Sequence, residues 1–300
     1  MNDNEFLLFD RLNVIKDTIN KYGEDNFYLS FSGGKDSTVV HYLLDMALPN
    51  NKIPRVYSNT GIEYTDVYQF VKKLAQNDKR IEIIKPNKNI KDTLNKVGYP
   101  FKNKEHSKKV HQYQATKNMT KYLYDYVNAT GYRQGSKYVC PSLLRYQFTE
   151  HCSIKISSYC CDEFKKKPFS DYEKASGRTI TITGMMREEG GVRNHIDCIH
   201  FKGNQVTKFH PLSKTTKEWE EWFIKEYNIE LCRLYYEPFN FDRTGCKGCP
   251  YSLNLQEQLT KMEIYLPAER KQCEYIWKPV YEEYRRIGYR LKEEEQTRLF

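Results

Sequence analysis

The chain has 300 residues, 39% of them hydrophobic and 29% charged, and carries a formal net charge of +9 from 48 basic against 39 acidic side chains. This composition excludes global disorder, and the length allows one large domain or two small ones with a sheet-based core that needs no disulfides. The positive balance suits phosphate-bearing partners, nucleotide or nucleic acid, without choosing between them.

The opening MNDNEFLLFD has neither the basic region nor the long apolar stretch of a signal peptide. No run approaches the roughly 18 apolar residues that span a bilayer. The expectation is a cytoplasmic protein without membrane partners, whose nine cysteines are reduced. The odd count argues against a disulfide framework and raises metal or redox chemistry. Several thiols, Cys198 and Cys232 among them, are expected to be small buried hydrophobes.

In chain order, spaced apolar residues from Phe6 to Tyr22 predict an amphipathic helix. Asn26 to Phe31 predicts a buried strand, followed by the turn Ser32-Gly33-Gly34 and a helix over Ser37 to Ala47. Ile53 to Ser58 is a second strand and Thr65 to Ala75 its helix. Ile81 to Ile84 is a third strand, closed by Pro86, and Thr179 to Thr183 a fourth, ending at Gly184. Strands alternating with helices predict an α/β fold with a doubly wound, mostly parallel, Rossmann-like sheet. Tyr99 to Lys137, rich in Lys, Tyr, His and Asn and poor in aliphatic residues, is expected to be either an insertion with a helix at about Lys117 to Asn128 or a mobile lid. A smaller C-terminal helical region is expected from Phe209, with helices over Lys217 to Tyr227 and about Ala268 to Arg286, the latter kinked or split at Pro279. The expected domains are 1–208 and 209–300.

Ser32-Gly33-Gly34-Lys35-Asp36-Ser37 follows a strand and opens a helix. Two glycines let backbone N–H groups converge on an anion, and the helix adds the positive end of its dipole. Lys35 brings a mobile charge, and Ser32 and Ser37 bring hydroxyls. Asp36 cannot favour bare phosphate and is read as Mg²⁺-linked or structural. Leu29 and Asp36 stand where a Walker A loop needs Gly and Ser or Thr, so this is a different phosphate loop.

Cys160 and Cys161 are adjacent, and Cys246 and Cys249 form a C-x₂-C pair with Gly248 easing the bend. Four such thiolates suit an iron–sulfur cluster or a zinc ion equally in ligand type. Cys140, Cys152 and Cys273 have no role assigned by pattern. Lys102, Lys104, Lys108, Lys109, His111, Tyr113, Lys117 and Lys121, with Lys165 to Lys167, form a basic, aromatic-rich set. It suits either a nucleic-acid backbone or a solvated surface.

The loop resembles the pyrophosphate-binding PP-loop of the adenine nucleotide alpha hydrolase superfamily, and the chain resembles in particular its phosphoadenosine phosphosulfate (PAPS) reductase family. Four further segments carry this in order between about Phe27 and Tyr251, with a gap over the basic insertion. They are Tyr57-Ser-Asn-Thr-Gly-Ile-Glu63, Thr183-Gly-Met-Met-Arg187-Glu-Glu189, His210-Pro-Leu-Ser with Trp219, and Arg243-Thr-Gly-Cys246-Lys-Gly-Cys249-Pro250. Met186 stands where the family usually has an arginine. The resemblance implies an adenine nucleotide held by Ser32, Gly33, Gly34, Lys35, Asp36, Ser37, Asn59, Thr60, Glu63, Gly184 and Arg193, with Lys35, Asp36 and Arg187 catalytic.

The cysteine pattern resembles that of the adenylyl sulfate reductase branch. This implies a 4Fe–4S cluster on Cys160, Cys161, Cys246 and Cys249, with Zn²⁺ as the alternative. Reductases of the family use a cysteine in a C-terminal tail. This sequence has none after Cys273, and its loop is intact where reductases carry a degraded one. The expected function is therefore an ATP pyrophosphatase, cleaving Mg²⁺-ATP between α and β phosphates to adenylate an acceptor in sulfur transfer. Its implied partners are a sulfur donor or thioredoxin-like reductant and, through the basic insertion, a nucleic acid acceptor. The alternatives are an adenylyl sulfate or PAPS reductase releasing sulfite, and a non-catalytic nucleotide- or DNA-binding regulator.

Overall fold

A computed structural model describes residues 2–86 and 88–292. In chain order the elements are α1 (Asp3–Tyr22), β1 (Phe27–Ser30), α2 (Lys35–Ala47), β2 (Arg55–Ser58), α3 (Thr65–Asn77), β3 (Ile81–Ile84), α4 (Ile90–Val97), α5 (Lys104–Thr116), α6 (Lys121–Asn128), α7 (Tyr159–Cys161), α8 (Lys167–Ser176), β4 (Ile180–Ile182), β5 (Ile199–Lys202), β6 (Gln205–Phe209), α9 (Lys217–Glu226), α10 (Leu255–Tyr265) and α11 (Pro267–Arg286). A π-helical turn, Asp162–Lys166, follows α7. No helix of the described residues is long and apolar enough to cross a membrane.

The chain divides into two compact units, Met1–Pro86 with Lys167–Gly245, and Asn87–Lys166 with Cys246–Phe300. The division expected at 208/209 is thus not the one observed. Residues 209–245 stay with the sheet because α9 packs on α2. The insertion expected at about 99–137 within the first domain lies instead in the stretch 87–166, which forms a unit with the last two helices.

The first unit holds a six-stranded sheet in the order β3-β2-β1-β4-β6-β5. All pairings are parallel except β5 with β6. This is the doubly wound α/β architecture expected from the alternation of strands and helices. Buried runs such as Phe27, Tyr28 and Leu29 are what a strand covered on both faces requires. The chain reverses direction across β1, which is flanked by β2 and β4, and the loop following β1 therefore opens at the switch point where such sheets bind ligands. The β5–β6 hairpin was not anticipated, because its outer strand alternates apolar and polar residues over only four positions, Ile199 to Lys202, and is largely exposed.

In the second unit α5 begins at Asn103, whose side chain accepts from the His106 amide, and α6 begins at Thr120, which caps Leu123. Pro279 neither splits nor ends α11. Proline removes the donor that would bond the carbonyl four residues back. That carbonyl, on Tyr275, instead accepts from Lys91 Nζ at 2.6 Å.

Candidate active site and cysteine centre

The phosphate loop is built by its own hydroxyls. Ser37 Oγ accepts from the Ser32 amide at 3.1 Å, lies 3.0 Å from Ser32 Oγ and donates to Gly34 O at 3.0 Å. Ser32 Oγ accepts from the Gly34 amide at 3.2 Å. Gly33 has φ +68°, and a Cβ there would sit 2.6 Å from Val71 Cγ2 on α3. Only glycine lets the loop lie this close to that helix in this conformation. Gly34 caps α2, so Lys35 and Asp36 occupy its first turn.

Sequence reasoning missed Tyr235. Its hydroxyl accepts from the Lys35 amide at 3.0 Å and lies 2.7 Å from Thr244 Oγ1, while Lys35 Nζ stands 5.7 Å from its ring centroid. Thr244 belongs to the Arg243-Thr-Gly-Cys motif, which was the available signal. Lys35 and Tyr235 open onto a cleft of about 630 Å³ that also includes Lys225, Asn228, Asn240 and Phe241.

Asp36 is raised above its ordinary value by burial and by the charge of Glu189, with Arg243 opposing. Its carboxyl is hydrogen-bonded to that of Glu220 on α9. Glu220 is 2% exposed, and no N–H or O–H group of the described residues bonds to its Oε1. A proton shared with Asp36 accounts for the pair. Gly184, predicted at the nucleotide site, lies against Asp36, and a Cβ there would come within 2.8 Å of the Asp36 backbone.

The two predicted arginines part company. Arg187 Nε donates to Ile196 O at 2.7 Å and its guanidinium lies 3.6 Å from Asp197, so it ties its own loop together. Arg193 and Arg243 converge on the buried carboxylate of Glu189. Arg243 rather than Arg187 is therefore the arginine set beside Asp36. At the end of β2, Thr60 donates from its amide (3.0 Å) and its hydroxyl (2.6 Å) to Glu63, and Asn59 Oδ1 accepts from the Gly61 amide at 3.2 Å. These predicted nucleotide contacts are thus internally bonded and shape the loop after β2.

In the second unit the charges of the predicted metal ligands Cys161, Cys246 and Cys249 all reach the fourth, Cys160, and those of Cys161 and Cys246 reach Cys249. The Cys160 thiol donates to Cys161, and this holds the Cys161 thiol down, at about 6, with Lys104 and Lys165 assisting. Cys160 is pushed far up by the same bond, by burial and by the charges of Cys161, Cys249 and Cys246. Burial pushes Cys249 up to about 12. Of the unassigned thiols, Cys273 is buried and pushed up to about 12, and burial also raises Cys140 (to about 11) and Cys152.

One further group among the described residues, His41, Asp45 and Asp78, has metal-ligand character. Two guanidinium groups serve it instead. Arg55 donates to His41 Nδ1 at 3.1 Å and to Asp45 at 2.7 Å, and Arg80 bonds Asp45 and Asp78.

The basic segment is less exposed than its composition suggests. Lys109 is 3% exposed, donating to Glu105 (2.7 Å) and Tyr122 (2.5 Å). Lys102 Nζ donates to Val139 O at 3.2 Å. Lys104, Lys108, Lys117 and Lys121 are exposed, and His111 and Tyr113 half-buried.

Residues 26–252 match the model of the phosphoadenosine phosphosulfate reductase domain. The chain belongs to this family. As a PAPS reductase family member it is 25% identical over 262 residues to the uncharacterized protein MJ0973 of Methanocaldococcus jannaschii, a match covering 85% of this chain. The match takes in 49% of that relative, so the chain spans about half the length of the curated protein it resembles. Among solved structures it is similar to the PAPS reductase of Candida auris in its phosphate complex (13% identity, 74% of this chain and 88% of the other, TM-score 0.40). It is also similar to the U34-tRNA thiolase NcsA of Methanococcus maripaludis with its 4Fe–4S cluster (15% identity, 96% and 82%, TM-score 0.38). Likeness of that extent carries no inference about ligands.

Proposed function

We propose that this PAPS reductase family protein is an ATP pyrophosphatase, cleaving ATP between its α and β phosphates to adenylate an acceptor in sulfur transfer. The observation that carries the reading is the complete phosphate loop at the N-terminus of α2, with Lys35 and Asp36 in its first turn and Glu220 bonded to Asp36. A sulfonucleotide has no β,γ-pyrophosphate for such a loop to hold.

The loop amides, the α2 dipole and Lys35 would bind the β,γ-phosphates and neutralise the charge that develops on the leaving pyrophosphate. An acceptor oxygen attacks the α-phosphorus in line, its bond to phosphorus forms, and the α–β bridging bond breaks with its electrons leaving on pyrophosphate. Catalysis is mainly positioning and charge neutralisation. Asp36 offers a hard oxygen donor of the kind Mg²⁺ takes, and the ion would supply charge neutralisation on phosphate oxygens. Exposed Lys104, Lys108, Lys117 and Lys121 favour a nucleic acid as acceptor.

Cys160, Cys161, Cys246 and Cys249 would hold a 4Fe–4S cluster, which supplies one-electron chemistry. Zn²⁺ on the same four thiolates is the alternative. The buried Cys273, with its thiol held protonated, is a poor nucleophile for the thiosulfonate chemistry of a reductase.

The deciding experiment incubates the anaerobically purified protein with Mg²⁺-ATP. Release of AMP and pyrophosphate is expected. Sulfite release from adenylyl sulfate or PAPS with thioredoxin, without ATP cleavage, would replace this reading by the reductase. Nucleotide binding with no turnover on either would replace it by a regulator.

A further inference from the structure

The C-x₂-C loop is gripped along its length by one face of α11. Trp277, Tyr281 and Tyr284 are spaced i, i+4, i+7 and so lie on one face of the helix. All three are buried, at 1%, 0% and 0% exposure. Trp277 Nε1 donates to Lys247 O at 3.0 Å, the Tyr281 hydroxyl donates to Gly248 O, and the Tyr284 hydroxyl donates to Pro250 O at 2.9 Å. Cys273 continues the stripe one turn earlier, and a Cβ on Gly248 would stand 2.8 Å from its Sγ. Gly248 has φ +56°, so both its conformation and its contact with the helix call for glycine.

In a planar trans peptide the C=O and the following N–H point in opposite directions. Holding the carbonyl therefore aims the amide. In the Gly248–Cys249 peptide the carbonyl is held by Tyr281, and the Cys249 amide donates to Cys246 O at 3.2 Å, closing the turn that brings the two cysteines together. In the Pro250–Tyr251 peptide the carbonyl is held by Tyr284 and by Arg290, which turns the Tyr251 amide the other way, towards Cys249, whose thiol it lowers against the effect of burial.

We propose that the Trp277–Tyr281–Tyr284 face is the positioning element of the cysteine centre, fixing the Tyr251 amide on the Cys249 sulfur so that the bound cluster accepts an electron more readily. The inference rests on the cluster reading above. An N–H donor on a ligand sulfur stabilises the charge added on reduction, and hydrogen bonds to sulfur are among the determinants of cluster potential. The three side chains touch carbonyls rather than the cluster, so they act through the loop.

The test compares wild type with Tyr284→Phe and with the Tyr281→Phe/Tyr284→Phe double variant, each purified anaerobically. Iron content, melting temperature and a dithionite titration against redox dyes are measured. Both variants are expected to keep the wild-type iron content. At a fixed applied potential their ratio of reduced to oxidised cluster falls at least threefold in the double variant, a shift of about 28 mV downward at 59 mV per decade. Full iron content with an unchanged potential would overturn the proposal. So would iron loss in Tyr284→Phe at an unchanged melting temperature, because the face would then retain the cluster rather than tune it. Wild-type protein that holds zinc and no iron would overturn the cluster reading itself, and the proposal with it. That outcome is read on the wild type alone and cannot be confused with the other two.

Discussion

Asp36, in the first turn of α2, and Glu220, on α9, meet as a hydrogen-bonded carboxyl pair behind the phosphate loop. A half-buried and a buried carboxylate that share a hydrogen bond cannot both ionise without strong repulsion, so the pair retains one proton. Burial and the Asp36 charge raise Glu220 to about 8. A raised folded-state value means that the stability at issue is fully present below the ordinary carboxylate range, at about 4.3. It is then lost as pH rises from there through about 8. Thermal melts of ligand-free protein at pH 5 and pH 8.5 should show wild type losing more stability than Glu220→Gln across that window. Equal losses in the two proteins would show that Glu220 is not protonated there.

Lys35 supplies the one side-chain cation of the loop motif. Lys35→Ala should lower kcat/KM for ATP cleavage by about 10²-fold or more, the cost of removing one electrostatic contact made to developing charge. The circular dichroism spectrum should stay unchanged, because the contacts that build the loop come from Ser32, Ser37 and the glycines. Retained turnover would remove the loop from the mechanism.

The strand–glycine turn–helix unit was legible because each piece is local. A buried β1, a loop that glycine alone can make and a helix starting at Lys35 all follow from neighbours in sequence. The parallel sheet followed from alternation of strands and helices. What was not legible is what α9 and the 235–244 segment bring back to the loop. Glu220 sits in a run of acidic residues with nothing to mark it as buried, and Tyr235 is one of 25 tyrosines. Arg243 was not singled out as a neighbour of Asp36, because motif position cannot show which way a side chain turns. The division into units was missed for a similar reason, since each unit is assembled from two separated stretches of chain.

Tyr235 places its hydroxyl on the Lys35 amide, a donor that an incoming phosphate oxygen would use. Binding must then displace or share that hydrogen bond. Tyr235→Phe should tighten pyrophosphate binding by up to about tenfold in isothermal titration, matching the roughly 0.5–1.5 kcal/mol of one hydrogen bond. Weakened binding would mean that the hydroxyl itself touches the anion.

Lys109 separates structural from recognition charge within the basic segment. Its ammonium is buried between Glu105 and the rings of Tyr122 and Tyr126, at 4.4 and 4.8 Å from their centroids. Lys109→Ala should cost about 1.5–3 kcal/mol of folding stability, the range for hydrogen bonds to a charged group. Exposed Lys108→Ala should cost almost none. For nucleic acid binding the order reverses, if the exposed lysines engage phosphates as proposed. Removing one lysine–phosphate pairing lowers the slope of log K against log salt by about one unit. Lys108→Ala and Lys121→Ala should therefore reduce that slope in fluorescence anisotropy with single-stranded RNA, and Lys109→Ala should leave it unchanged at temperatures where the variant is folded. A salt slope near zero for wild type would exclude nucleic acid as the acceptor, leaving these lysines as a solvated surface.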